Sequence, residues 1–368
     1  WCRWPSCSSP LLVGGGGGDS TPSPSPSPSP KPLTATGTIG YITPQGDFAL
    51  MDANGSNQRA LTQDGGVAAF SWSPDGTAAA LELGIGSTAH VRVIKPDGSS
   101  KFELDGSEAL WSPAGDRLAL KQGSGIGIAD RNGNPERVFE DGARPAWAPD
   151  GTRLAFIKLD TDGTGVPVIG DIATGTETPL SAGIEAAPPD YPIAWHPAGT
   201  VIAHQNKLYE PATGTTRDLP GTAVEWAPDG RTLLVSGVYS ERDGGSPGLL
   251  LDVAQDFKNT IGLLIRLSAE DIPAQLFIQK WTDWTPDGRF LVYLDPEPQR
   301  ERVRLYDTVS LTQQPFKNIA GERPDVSPDG THVAWMLRGQ VWVFPLDAST
   351  LLPVADGGFP AWQPGSQG

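Results

Sequence analysis

Cysteine is nearly absent from this 368-residue chain. Its two copies, Cys2 and Cys7, both stand at the extreme N-terminus. Everything from Ser8 onward is thiol-free, which excludes a disulfide framework or a cysteine-ligated metal centre from the main body. Histidine is scarce too. His90, His196, His204 and His332 are scattered, with no His-x-His or H-E-x-x-H spacing that would mark zinc. Cations are outnumbered, 27 Lys and Arg against 43 Asp and Glu, for a formal net charge of −16. A nucleic-acid or anionic-membrane surface needs clustered Lys and Arg to displace counterions, so no nucleic-acid partner is expected. No stretch approaches the roughly 18 apolar residues of a membrane helix, so no transmembrane segment is expected either. A Walker loop and a convincing dinucleotide fingerprint are also lacking.

What the chain has in quantity is glycine (45) and proline (36), the residues of turns and extended spacers. Residues 14–18 are GGGGG and residues 20–32 read STPSPSPSPSPKP. Alternating proline joins neither a helix nor a sheet ladder, so residues 1–36 are expected to be a disordered or extended leader and spacer. The Ser/Pro stretch would span on the order of 40 Å at about 3.1 Å per residue. Such Ser/Thr-Pro composition also suits a glycosylated stalk. The arrangement resembles the start of a bacterial lipoprotein, where a Leu-x-Gly-Cys box precedes the lipidated cysteine. Leu12, Val13 and Gly14 match its first three positions, but Gly15 stands where the cysteine belongs. The resemblance implies an exported protein, periplasmic, cell-surface or extracellular, and the missing cysteine puts lipidation at that site in doubt.

Beyond the leader one motif recurs. FSWSPDG, ALWSPAG, PAWAPDG, IAWHPAG, VEWAPDG, TDWTPDG, PDVSPDG and PAWQPGS align on Pro74, Pro113, Pro149, Pro197, Pro228, Pro286, Pro328 and Pro364, on average about 41 residues apart. Seven copies place a tryptophan two residues before the proline: Trp72, Trp111, Trp147, Trp195, Trp226, Trp284 and Trp362. Val326 fills that place in the eighth. Each copy reads as a short strand, a Pro-x-Gly turn, an apolar strand such as RLAFIK, a third strand such as RVRLYDT, and a more polar fourth such as SKFEL. Four strands per 40 or so residues with an aromatic at a fixed place is the signature of a β-propeller blade. The seven tryptophans are therefore expected to be structural, wedged between adjacent blades.

The motif W-[ST]-P-D-G followed by a strand such as RLAF resembles the TolB-type, WD-like propeller repeat of bacterial exported proteins. Residues 46–62, GDFALMDANGSNQRALT, resemble the second half of that repeat. The resemblance covers about residues 37–364 and implies an all-β fold, a single β-propeller over residues 37–368. It says little about function, because propellers host many. Three strands at residues 37–63 lack an inner partner, and the last copy, around Trp362, has nothing after it. The economical count is eight blades, the ring closed by pairing of N- and C-terminal strands. Seven blades is the alternative, if the short 196–226 unit is incomplete. The insertion near 240–280 is open between two strands and a short helix.

The search for chemistry finds little. Gly244-Gly245-Ser246-Pro247-Gly248 fits G-x-S-x-G formally, but in a polar loop with no α/β sheet to belong to. Asp160, Asp162, Thr164 and Asp171 partly follow a calcium-loop spacing, which makes Ca²⁺ the one cofactor the sequence hints at; Asp171 stands where a bidentate Glu belongs, and Pro167 interrupts the loop. With no catalytic constellation, the chain is not expected to be an enzyme. What remains is the mouth of the central tunnel. Three residues before each motif Trp lie Glu108, Arg144, Trp281, Arg323 and Phe359, among smaller residues, with Asp190 and Tyr191 nearby. Aromatic and Arg side chains of this kind anchor interfaces. The expectation is a non-catalytic exported scaffold that binds a protein or peptide there. One alternative is a structural surface protein that self-associates through residues 1–36. Another is an enzyme or small-molecule binder, metal-dependent or not, using the tunnel.

Overall fold

The computed structural model describes residues 35–180, 192–219, 221–236, 245–252, 260–268, 282–297, 300–310, 312–314, 322–346 and 352–365. Among them, 32 strands form eight four-stranded antiparallel sheets, arranged in a ring as the blades of a β-propeller. Blade I is built from both ends of the chain. Its inner strand is β32 (Gly358–Trp362), followed outward by β1 (Thr38–Ile42), β2 (Phe48–Asp52) and β3 (Arg59–Ala60). Ile39 faces Trp362 and Gly40 faces Ala361 across the closing pair. The inner strands of blades II to VIII are β4 (Val67–Trp72), β8 (Ser107–Trp111), β12 (Gly142–Trp147), β16 (Ile193–Trp195), β20 (Thr222–Trp226), β24 (Thr282–Trp284) and β28 (Glu322–Val326).

The gradient of polarity along each repeat follows from this geometry. The second strand of a blade is covered on both faces by neighbouring blades, so β13 (Arg153–Leu159) runs RLAFIKL and buries Leu154 to Ile157 without interruption. The fourth strand lies at the rim, and β19 (Thr215–Asp218) is TTRD, exposed throughout. The short blade V is complete, with β16, β17 (Ile202–His204), β18 (Lys207–Glu210) and β19 in order. In the long interval of blade VI, β22 (Gly245–Asp252) and β23 (Thr260–Ser268) pair as antiparallel strands. The insertion is thus sheet within its described residues.

The motif turn explains its own composition. In blade II, Gly76 sits at φ 66°, a left-handed conformation that favours glycine, and its N–H donates to the Ser73 carbonyl at 2.8 Å. Asp75 Oδ1 accepts from the Ser73 hydroxyl at 2.6 Å and from the Thr77 N–H at 3.1 Å. The same self-bonded turn recurs at Thr285–Arg289 and Ser327–Thr331. In blade V His196 replaces the hydroxyl residue. Its Nδ1 accepts from the Ala198 N–H at 3.0 Å, and its ring meets Trp226 edge-on at 4.8 Å.

Candidate functional site

The motif tryptophans do more than fill the gaps between blades. Trp72 Nε1 donates to the Ala361 carbonyl, Trp111 to Ser71, Trp147 to Leu110, Trp195 to Ala146, Trp226 to Ala194 and Trp362 to Asp325, at 3.0–3.3 Å. Each acceptor is the residue just before the motif position of the preceding blade. Six of the eight blade junctions are therefore latched by the same indole bond, over apolar clusters such as Phe139, Phe156, Val168 and Trp147.

The latch is missing at two consecutive junctions. Trp284 in blade VII is 4% exposed, and its Nε1 makes no bond to a carbonyl of the preceding blade but turns toward the Glu225 side chain. Blade VIII has Val326 in place of an indole, and the volume is supplied by Trp335, fully buried among Val292, Val303 and Leu305 of blade VII. At this stretch of the ring the residue before the motif position is acidic in three successive blades: Glu225, Asp283 and Asp325. In the others it is Ser71, Leu110, Ala146, Ala194 or Ala361.

These carboxyls reach across the junctions. Asp283 Oδ2 accepts the Val326 N–H of the next blade at 2.5 Å, and Asp325 Oδ2 accepts the Trp362 N–H at 2.6 Å. Asp283 Oδ1 also accepts the N–H of its own neighbour Trp284 at 2.9 Å. Glu225 receives the Thr282 hydroxyl, at 3.4 Å. Burial pushes Glu225 up to about 8, and the Asp283 charge adds to the rise; the Thr282 hydroxyl and the Trp284 indole, which faces the same carboxyl, pull the other way. Burial likewise raises Asp283 to about 6 against two N–H donors that lower it. Asp325 is raised by burial and by Asp283. All three keep some solvent-accessible surface although protein surrounds them, as expected of groups on the inner wall of a ring.

Two residues before these acids lies the position singled out from the sequence. Glu108, Arg144, Arg323 and Phe359 all adopt φ of 53–54°, the left-handed region, at the start of an inner strand. A register shift follows in each of the four pairings, between Ser107 and Leu110, Ala143 and Ala146, Glu322 and Asp325, and at Gly40/Ile42 opposite β32. Inner strands run in one direction around the ring, so these four residues share one face of it. Glu108 and Arg144 are exposed. Arg323 lays its guanidinium 4.0 Å from the centre of the Phe359 ring on the adjacent blade. The same face carries the Gly84–Ala89 loop, where Ile85 is 84% exposed. It also carries two adjoining cavities of about 420 and 470 Å³ that share Ala89, Asp105 and Gln122. Trp281, Asp190 and Tyr191 lie outside the described residues.

The calcium spacing does not become a site. Asp160 and Asp162 occupy the turn between β13 and β14 (Gly165–Asp171), where Asp162 Oδ1 accepts both the N–H and the hydroxyl of Thr164. Asp171 is at the opposite end of β14, facing Arg153, and accepts from Thr174. Six residues of extended strand, about 20 Å, separate it from the turn, so one ion cannot reach both. The spacing assumed a compact loop, and the chain is extended there. Among the described residues no group of His, Cys, Asp and Glu could hold a metal ion. Ser246 of the G-x-S-x-G stretch faces Leu267 in a β-ladder and does not sit on a strand-to-helix elbow.

The ring and its mouth thus define an eight-bladed propeller with one asymmetric sector. No protein-family model matches the chain, and no curated protein sequence does. Among solved structures, the dipeptidyl peptidase 4 of Porphyromonas gingivalis superposes with a TM-score of 0.60 at 14% identity, over 86% of this chain and 58% of its own. The dihydro-heme d1 dehydrogenase NirN in complex with DHE gives 0.60 at 10%, over 92% and 78%. TolB from Acinetobacter baumannii also matches, at 14% identity over 77% and 82%, with a TM-score of 0.38, too loose a superposition to bear on kinship. At such identities the likeness is one of fold, and it spans proteins named as enzymes. No helix among the described residues is long and apolar enough to cross a membrane.

Proposed function

We propose that this chain is a non-catalytic propeller that binds a protein or peptide on the face formed by the starts of its inner strands. The observation that carries the reading is the repeated left-handed conformation of Glu108, Arg144, Arg323 and Phe359. None is glycine, and a left-handed conformation costs a non-glycine residue on the order of 1 kcal/mol or more. Four charged or aromatic side chains held this way at equivalent positions fit a surface kept for contact, with the stacked Arg323–Phe359 pair as its anchor. The Gly/Ser/Pro composition of residues 1–36 supports an exported chain displayed on a spacer, with the propeller beginning at about residue 37.

The test is selection of binders from a random peptide display library on the full chain. Binding of the selected peptides is expected to fall at least tenfold in Arg144→Ala and Phe359→Ala. It should be unchanged in Lys95→Ala, a substitution in a turn at the opposite ends of the strands. Peptides selected equally well by all three variants would refute the assignment of this face.

A further inference from the structure

The fourth strand of a blade leaves a row of backbone N–H and C=O groups at the rim, open to pairing with another strand. Seven of the eight rim strands are two to six residues long. Six of these carry a charged residue or a proline, as in Ser100–Asp105 (SKFELD) and Pro135–Phe139 (PERVF), and the seventh, Thr312–Gln314, is TQQ. Shortness, charge and proline are the usual ways of closing an edge. β23 of blade VI departs from all of them. It runs nine residues, TIGLLIRLS, or about 30 Å of extended chain. Five of the nine are large and apolar (Ile261, Leu263, Leu264, Ile265 and Leu267), and the one charge is Arg266. β23 is the last strand of its sheet, and among the described residues no strand pairs with its outer edge. Ile261 and Leu264 have no opposite residue in β22 either, because the register shifts beside each of them.

We infer that β23 is a dimerisation edge whose partner is β23 of a second copy of this chain, paired antiparallel about a two-fold axis through Leu264. The sequence of the strand selects this partner. Pairing about Leu264 sets Ile261 opposite Leu267 of the partner subunit and Leu263 opposite the partner's Ile265. Leu264 meets the partner's Leu264, and Thr260 meets the partner's Ser268. Arg266 falls opposite the partner's Gly262, so no like charges meet. This is also the antiparallel register that uses all nine residues; centring on Ile265 would set Arg266 opposite the partner's Leu264. A two-fold contact between identical edges covers both at once and stops at two copies. The inner strand β20 starts at the mouth face and the strands of the blade alternate, so β23 runs toward that face. Antiparallel pairing therefore turns the two mouth faces in opposite directions and leaves both open. An edge contact of this length is small, and the dimer is expected to have a dissociation constant on the order of 10 μM.

The test is sedimentation equilibrium of the full chain between about 1 and about 200 μM, where the mass should rise from one chain toward two. Leu264→Lys sets two ammonium groups opposite each other at the axis, while adding only one charge to the rim of a single chain. It is expected to weaken the dimer roughly tenfold or more. Leu264→Glu should do the same, and an equimolar mixture of the two variants, which pairs Lys with Glu, should recover the dimer to within about threefold of the unaltered chain. A single chain at every concentration, a dimer that persists in Leu264→Lys, or a mixture that stays monomeric would overturn the inference. Amide hydrogen exchange on the unaltered chain needs no variant to fold. Residues 260–268 should exchange roughly threefold more slowly or better at about 200 μM than at about 1 μM. Protection that is equal at both concentrations would mean that another segment of the same chain holds the edge, and would overturn the inference as well. The dimer does not rest on the binding face proposed above, so the two readings fail separately.

Discussion

Asp283 in blade VII accepts the backbone N–H of Val326 in blade VIII at 2.5 Å, at the one junction whose motif position carries no indole. A carboxyl bond has replaced an indole bond as the tie between neighbours. The replacement is titratable where the original was not, which sets this sector apart from the rest of the ring.

Removing an indole N–H should therefore cost different amounts around the ring. Trp147→Phe leaves the Leu110 carbonyl without its 3.1 Å donor, whereas Trp284→Phe deletes an N–H that makes no such latch to the preceding blade. Both lose similar ring volume. Chemical unfolding is expected to show Trp147→Phe as the more destabilising by about 1–2 kcal/mol.

The Val326 junction should resist restoration of the motif. Trp335 already fills the space against Val292, Val303 and Leu305. Val326→Trp is expected to destabilise by about 1–3 kcal/mol through overpacking. Trp335→Ala should cost about 3–5 kcal/mol.

Stability should depend on pH in two limbs. Asp75, Asp150, Asp287 and Asp329 are held below the usual carboxylate range by hydrogen bonds within their turns, so the stability they supply is present above about pH 4 and lost in more acid solution. Glu225, Asp283 and Asp325 are shifted upward, so the folded state holds more protons than the unfolded one. That stabilisation is fully present below the unfolded carboxyl range and declines as pH rises through about 6 and about 8. Thermal unfolding should therefore peak near pH 4–6 and fall toward pH 9. In Glu225→Gln the fall between pH 6 and 9 should be shallower.

The repeat made most of this architecture readable. Pro-x-Gly turns, an apolar second strand and a polar fourth are local consequences of one blade's place in a ring, and the orphan strands at the two ends implied the β1–β32 pairing. The position three before the motif Trp was also visible as a column of larger residues, though not its left-handed backbone. Glu225, Asp283 and Asp325 are written as E-W, D-W and D-V in three successive copies. The signal was present, but their burial depends on neighbours in the next blade. Trp335 compensates for Val326 only through packing between blades VII and VIII. The Asp160–Asp171 spacing misled because a calcium loop curls and a β-strand extends.

The most direct test of the account is one double variant, Glu108→Gly with Arg144→Gly, measured for both stability and binding of the selected peptides. Glycine relieves the left-handed backbone at both sites. If these residues are kept for contact at a cost in strain, the variant should melt a few degrees higher and lose the peptides. A variant that melts lower, or that binds as well as the original chain, would contradict the claim that this face is the binding surface.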